Sequence, residues 1–260
     1  MVKRSEDMYI GAQFPTTSGG NVVVLEYINS KRVLVKFINT GSEVWTRTVH
    51  IRSGLIKDKL SPRLQGVGYI GTGPYSPTHY NSVKGVWENT FHYNRFGGMI
   101  YRCYNPKSYE TYKDSFVEEK WHNFQTFAGW VDSEWKEEYR VSGIQFELDK
   151  DLLVKGNKVY SESTCCLIPK EVNMTLVKGD KHRGSSLIGT SLTKKGRFRA
   201  RGYFNGVAIE LGLFDEEHLA FEAYKKNKKR ETDRLVEKYR GFLRDDVIQA
   251  LSEYKIDKGD

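Results

Sequence analysis

Asp149, Lys150 and Asp151 stand side by side where a β-rich run ends, and Asn157 follows six residues later. Two carboxylates and a side-chain amide at this spacing offer oxygen ligands to a hard divalent cation, Mg2+ or another of its class, of the kind that activates water against a phosphodiester. Lys150 takes a proton from that water only if burial or neighbouring cations depress its pKa by several units. Two flanking carboxylates favour the charged form instead, so a protonated Lys150 suits phosphate binding better. The alternative for Asp149 and Asp151 is a strand-end turn with solvated carboxylates. His50, His79, His92, His122, His182 and His218 are dispersed and show no H-x-x-x-H spacing, although folding would be able to bring His92 or His122 to the site. Cys103, Cys165 and Cys166 lack C-x-x-C spacing and read as buried reduced thiols.

A second set of residues is built to meet phosphate. In residues 197–201, RFRAR, an extended strand puts Arg197, Arg199 and Arg201 on one face and Phe198 and Ala200 on the other. Lys194 and Lys195 precede it. Asn205-Gly206 supplies the two positive-φ residues of a tight hairpin, and 207–213 returns as a strand with Val207, Ile209 and Leu211 on one side. Asp215 is a candidate helix N-cap with Glu216 and Glu217 in the first turn, and Leu219, Ala220, Ala223 and Tyr224 have the spacing to cover the sheet. Lys225, Lys226, Lys228, Lys229 and Arg230 follow; contacts from such a run grip the DNA backbone without reading sequence and weaken steeply with salt.

The pattern of residues 189–224, with Gly189, Gly196-Arg197-Phe198, Ala200, the Asn-Gly hairpin, Leu211-Gly212-Leu213-Phe214-Asp215 and then Ala220, Ala223 and Tyr224, resembles the AP2 DNA-binding domain. The resemblance implies a three-stranded sheet plus helix that lies in the major groove of double-stranded DNA, with Arg197, Arg199 and Arg201 as its contacts. Residues 146–173 resemble the core of HNH-type endonucleases of phages and mobile elements, sometimes found beside an AP2 domain. Asp149-Lys150 stands where that family has Asp-His, Gly156-Asn157-Lys158 matches its loop, and Val172-Asn173 lies at its helix. The implied site is Asp149, Lys150, Asn157 and Asn173 as catalytic residues, with Asp149 and Asp151 on the metal. The histidine that would carry the proton is replaced by Lys150.

Residues 9–52 read as a β-meander, with strands at 22–27, 32–38 and 43–49 separated by turn compositions. This unit resembles small SH3-like barrels, an architecture open to a spacer, a host-protein contact or auxiliary phosphate binding through Lys31, Arg32, Lys36, Arg47 and Arg52. Residues 52–77 form a Gly/Pro/Ser-rich connector. Its glycines lack the Gly-Lys-Ser/Thr of a phosphate loop and the dinucleotide fingerprint. Helices are predicted over 80–104, broken at Gly97-Gly98, and over 116–135, and a strand over 144–148. The aromatics of 80–173 read as core, since a base-stacking platform requires exposed rings.

The 260 residues carry a formal charge of +8. Ten cations face five acids over 1–70 (net +5), 12 face 14 over 71–173 (net −2) and 19 face 14 over 174–260 (net +5). With no long apolar run and no signal core, the expectation is a soluble protein that does not enter a membrane. The expected class is multi-domain α+β: an SH3-like barrel and connector (1–70), a divergent HNH-like α+β centre (71–175) and an AP2-like sheet and helix with a basic C-terminal extension (185–260). Two functions compete. One is a metal-dependent DNA endonuclease with a divergent site, cytoplasmic in a phage-infected bacterium; the other is a non-catalytic DNA-binding or regulatory protein that keeps the fold. Residues 247, 248 and 251 suggest a terminal helix that packs back or pairs with a second copy as a homodimer.

Overall fold

Valine alternation at 22, 24, 33 and 35 is the period of a half-buried sheet, and in the computed structural model all four side chains are fully buried. The structure describes residues 6–108, 110–177 and 186–259. The chain divides into two units, one of residues 1–108 and 119–129, the other of 109–118 and 130–260.

In the first unit β1 (Gln13–Pro15), β2 (Asn21–Asn29), β3 (Arg32–Phe37) and β4 (Glu43–Thr46) form an antiparallel sheet in sequential order. Among the described residues β1 and β4 do not pair, so the meander is open where a closed barrel was expected. Its apolar face is covered from outside instead: Met8, Ala12, Ile51 and Ile56 pack on Val22, Val24, Val33, Val35 and Phe37. The fourth strand stops at Thr46, and α1 (Thr48–Arg52) turns Ile51 onto that face.

Residues 80–89 are not helical. β5 (Thr78–Asn81) and β6 (Val86–Asn89) form a hairpin, because the Asn81 side chain accepts the amides of Val83 and Lys84, both at 3.1 Å, and so fixes a turn. Helix α2 (Phe91–Tyr104) starts behind it with Thr90 as side-chain cap, and it runs unbroken through Gly97-Gly98 because Phe96, Met99 and Ile100 on its buried face hold it. They pack near Trp121, Phe124 and Phe127, the last two on α3 (Phe124–Glu134).

In the second unit, the start of the predicted 116–135 helix is instead β7 (Phe116–Val117), which a parallel pairing with residues 159–160 holds extended. After α4 (Glu137–Val141), β8 (Phe146–Asp149) pairs antiparallel with β10 (Cys166–Pro169), while β9 (Val159–Tyr160) takes the β7 pairing. Then come α5 (Lys170–Leu176) and the antiparallel sheet β11 (Thr190–Leu192), β12 (Phe198–Phe204) and β13 (Val207–Phe214). Asn205 and Gly206 both have positive φ, +50° and +76°, as their hairpin requires. Helix α6 (Glu217–Tyr239) packs on this sheet, and α7 (Asp245–Glu253) packs back on α6 with Val247 and Leu251 buried. His182 and residue 185, the expected start of the third module, lie outside the described residues. The class is mixed α and β, seven α-helices with several small sheets among the described residues.

Candidate functional site

Asp149 ends β8 and turns the chain. Its Oδ1 accepts the amides of Asp151 (2.9 Å) and Leu152 (2.7 Å), and burial pushes the carboxyl's pKa up while those two amides pull it back. Lys150 is not solvated: it is 6% exposed, and its ammonium donates to both oxygens of Asp151 (2.7 and 2.8 Å) and to the main-chain carbonyl of Asn157 (2.7 Å). The rings of Tyr160 and Tyr112 lie 5.8 and 6.0 Å away. Asn157 reciprocates: its Nδ2 donates to the carbonyls of Lys150 and Val159, each at 2.7 Å, and its Oδ1 accepts from Val159 N. Lys150 and Asn157 thus clasp each other's backbone across the loop. Asn173 sits on α5, half-buried, and its side chain makes no hydrogen bond among the described residues.

The clasp brings Asp149, Lys150, Asp151 and Asn157 together, but with their polar groups turned on one another. A divalent cation at Asp151 would share that carboxylate with an ammonium 2.7 Å away, and like charge opposes it. Cys165 and Cys166 are buried reduced thiols, as expected; burial pushes Cys165 up to about 12, and Cys103 is only half-buried.

On the three-stranded sheet the alternation holds. Phe198, Ala200 and Gly202 turn toward α6, where Ala220, Phe221 and Tyr224 are buried, a stripe shifted from the expected one since Leu219 is exposed. Arg197, Arg199 and Arg201 face the other way, beside exposed Tyr203. Lys194 and Lys195 are exposed in the β11–β12 turn. Arg197 Nε meets Asp215 at 2.9 Å and its Nη2 donates to the Leu213 carbonyl; Arg199 Nε lies 3.6 Å from Glu210; Arg201 has no acidic partner among the described residues. Asp215 therefore pairs with Arg197 and does not cap α6, whose N-cap is Glu216 without a side-chain bond. A bulge at Leu211 shifts the β12–β13 register by one residue.

No family model, curated protein or solved structure matches the chain. Assignment of its function therefore rests on residue geometry.

The basic run divides. Lys229 pairs with Asp233, Arg230 stacks on the Phe204 ring at 3.9 Å, and Lys228 turns inward to donate to the Thr175 carbonyl. Only Lys225 and Lys226 of the five cations are unpartnered among the described residues. Asn227, in the middle of the run, carries no functional expectation from the sequence. It is buried, its Nδ2 donates to the Tyr203 carbonyl at 3.0 Å, and one turn on the buried Glu231 accepts the Asn205 amide at 3.0 Å. These two side chains serve the end of β12 and its turn beyond the reach of β11, and Gly202 leaves the room that Asn227 needs. The signal was present: an Asn among cations with a Glu four residues on is the spacing of one helix face.

Burial pushes Lys228 down to about 8 from 10.5. A lysine depressed in the folded state binds fewer protons than in the unfolded chain between those two values, so its contribution to stability grows as pH rises through that window. Urea unfolding of wild type and Lys228→Gln at pH 7.5 and 9.5 is expected to show the difference moving in favour of wild type by on the order of 1 kcal/mol at the higher pH. A pH-independent difference would place the ammonium in water.

Proposed function

We propose that the chain is a double-stranded DNA-binding protein of the non-catalytic, regulatory kind, which meets the duplex with the solvent face of β11–β13. One observation carries the reading: Arg197, Arg199 and Arg201 line the single face of a three-stranded sheet that α6 leaves open, the arrangement implied by the AP2 resemblance. Exposed ion pairs such as Arg197–Asp215 contribute only about 0–1 kcal/mol, so phosphate can displace the acids at little cost. Tyr203 adds a donor on the same face, and Lys194 and Lys195 stand at its rim. The endonuclease reading depends on Asp149 and Asp151 holding a metal, and the clasp supports a structural role for them instead.

Replacing Arg197, Arg199 and Arg201 together by alanine is expected to weaken duplex binding at least tenfold in mobility shifts at fixed salt. The log–log salt slope should flatten by about 0.9 for each phosphate that the variant no longer neutralises. Unchanged affinity would remove this reading. Supercoiled plasmid with Mg2+ or Mn2+ separates binding from cleavage: no nicking is expected, and metal-dependent nicking abolished by Asp149→Ala would restore the endonuclease.

A further inference from the structure

The formal charge is unevenly shared between the two units. By sequence the first holds 15 lysines and arginines against 7 aspartates and glutamates, net +8, and the second holds 26 against 26. The whole net charge of the protein belongs to the unit without the arginine sheet, and a polyanion is drawn there regardless of what that sheet does.

That unit also carries exposed rings where the sequence pattern predicts a core. Tyr80 and Trp87 are directly opposed on the β5–β6 hairpin, with ring centroids 5.7 Å apart and planes at 60°; they are 55% and 70% exposed. Val83 at the tip is 95% exposed. The hairpin has no third strand, and neither ring joins a core cluster among the described residues. Burying a tryptophan is worth about 1.5–3 kcal/mol or more, so a fold that leaves it out forgoes that gain, and a clustered exposed aromatic pair marks a binding surface.

The hairpin grows out of the rim of a cleft of about 640 Å3, whose wall includes Ser76 and Pro77 together with Lys57, Lys59 and Arg63. All three cations are exposed and unpaired among the described residues. Tyr80 stands three strand residues beyond Pro77, about 10 Å away. We infer that the Tyr80–Trp87 pair and this cleft form a site for an unpaired DNA strand, whose phosphates lie against Lys57, Lys59 and Arg63 and whose bases stack on the two rings. The inference shares with the preceding section only the premise that the ligand is DNA.

Unpaired bases fit best for a physical reason. In a duplex the base faces are already stacked, so exposed rings beside a basic cleft gain nothing from it, whereas every unpaired base offers a free π-face. A lipid bilayer would also attract a basic surface with a Trp/Tyr hairpin, but it is flat, and these cations line a concavity.

The test uses the full chain, a fluorescein-labelled oligothymidylate, the matching duplex, and vesicles of phosphatidylglycerol and phosphatidylcholine. Trp87→Ala and Tyr80→Ala are each expected to weaken binding of the oligothymidylate about tenfold at fixed salt, with duplex binding unchanged, and Trp87→Phe to retain most of it. Lys57→Gln/Lys59→Gln/Arg63→Gln should flatten the salt slope of single-strand binding. Equal affinity of wild type and Trp87→Ala for the oligothymidylate overturns the inference. So does a Trp87→Ala defect confined to vesicles, which would make the hairpin a membrane wedge. The two proposals fail separately: absence of the single-strand effect leaves the arginine-sheet result standing, and an inert sheet variant leaves the hairpin result standing.

Discussion

Replacing Lys150 by alanine is expected to lower the unfolding free energy by about 2–3 kcal/mol, read as a shift of the urea midpoint at unchanged m-value. Removing one partner of a buried ion pair costs about 3–5 kcal/mol when the charge left behind stays buried. Asp151 is 54% exposed and can rehydrate, so the lower figure applies. What remains unrelieved is the Asn157 carbonyl, stripped of its 2.7 Å donor, and the buried place beside the Tyr112 and Tyr160 rings that the ammonium leaves. Lys150→Met keeps the stem and should recover about half of the loss. Lys150→His, which installs the residue of the HNH pattern, is too short to reach both Asp151 and Asn157 and should resemble alanine. A stability change below about 0.5 kcal/mol in Lys150→Ala would show the ammonium free of the clasp and available for chemistry.

The same residue shows where the sequence is legible and where it is not. Asp-Lys-Asp at a strand end reads as a solvated turn because all three residues are charged. Its burial comes from Tyr112, far back in the chain, brought beside Tyr160 by a parallel pairing of only two residues that no local pattern announces. Asn205-Gly206 lies at the other extreme. There the backbone conformation is dictated by the residues themselves, so the turn, both strands and the face of each arginine were readable.

The 78–89 hairpin failed for a different reason. Periodicity equates apolar with buried, and Val83, Val86 and Trp87 are spaced as one helix face only because all three are assumed to seek a core. They are 95%, 48% and 70% exposed, and the turn is set by a polar side chain, Asn81. Periodicity misleads where apolar residues serve a surface. The capping role expected of Asp215 failed on a competing electrostatic partner, Arg197, which reaches it from the neighbouring strand.

Gly189 immediately precedes β11, and Gly189→Ala is expected to destabilise the protein by about 2–5 kcal/mol. Two independent costs add. The residue has φ +76°, where an L side chain costs about 1–2 kcal/mol. Its Cβ would also fall onto the ring of Tyr224, which is 8% exposed and packed with Ile188, Phe221 and Ile256. Overpacking of that kind costs about 1–3 kcal/mol, and the ring's packing on Ile188, Phe221 and Ile256 opposes a swing into the cleft of about 500 Å3 that it lines together with Gly189. The two terms separate in a double-mutant cycle. In a Tyr224→Leu background the clash is relieved, so Gly189→Ala should then cost only the backbone term, leaving a coupling of about 1–3 kcal/mol. Because Tyr224 lies on the α6 face that supports β12, the triple-arginine face should lose its geometry with it, and duplex affinity should fall in proportion to the folded fraction. A Gly189→Ala variant within about 0.5 kcal/mol of wild type would mean that α6 does not press on β11 as described, and the DNA-binding role proposed for the sheet would lose its scaffold.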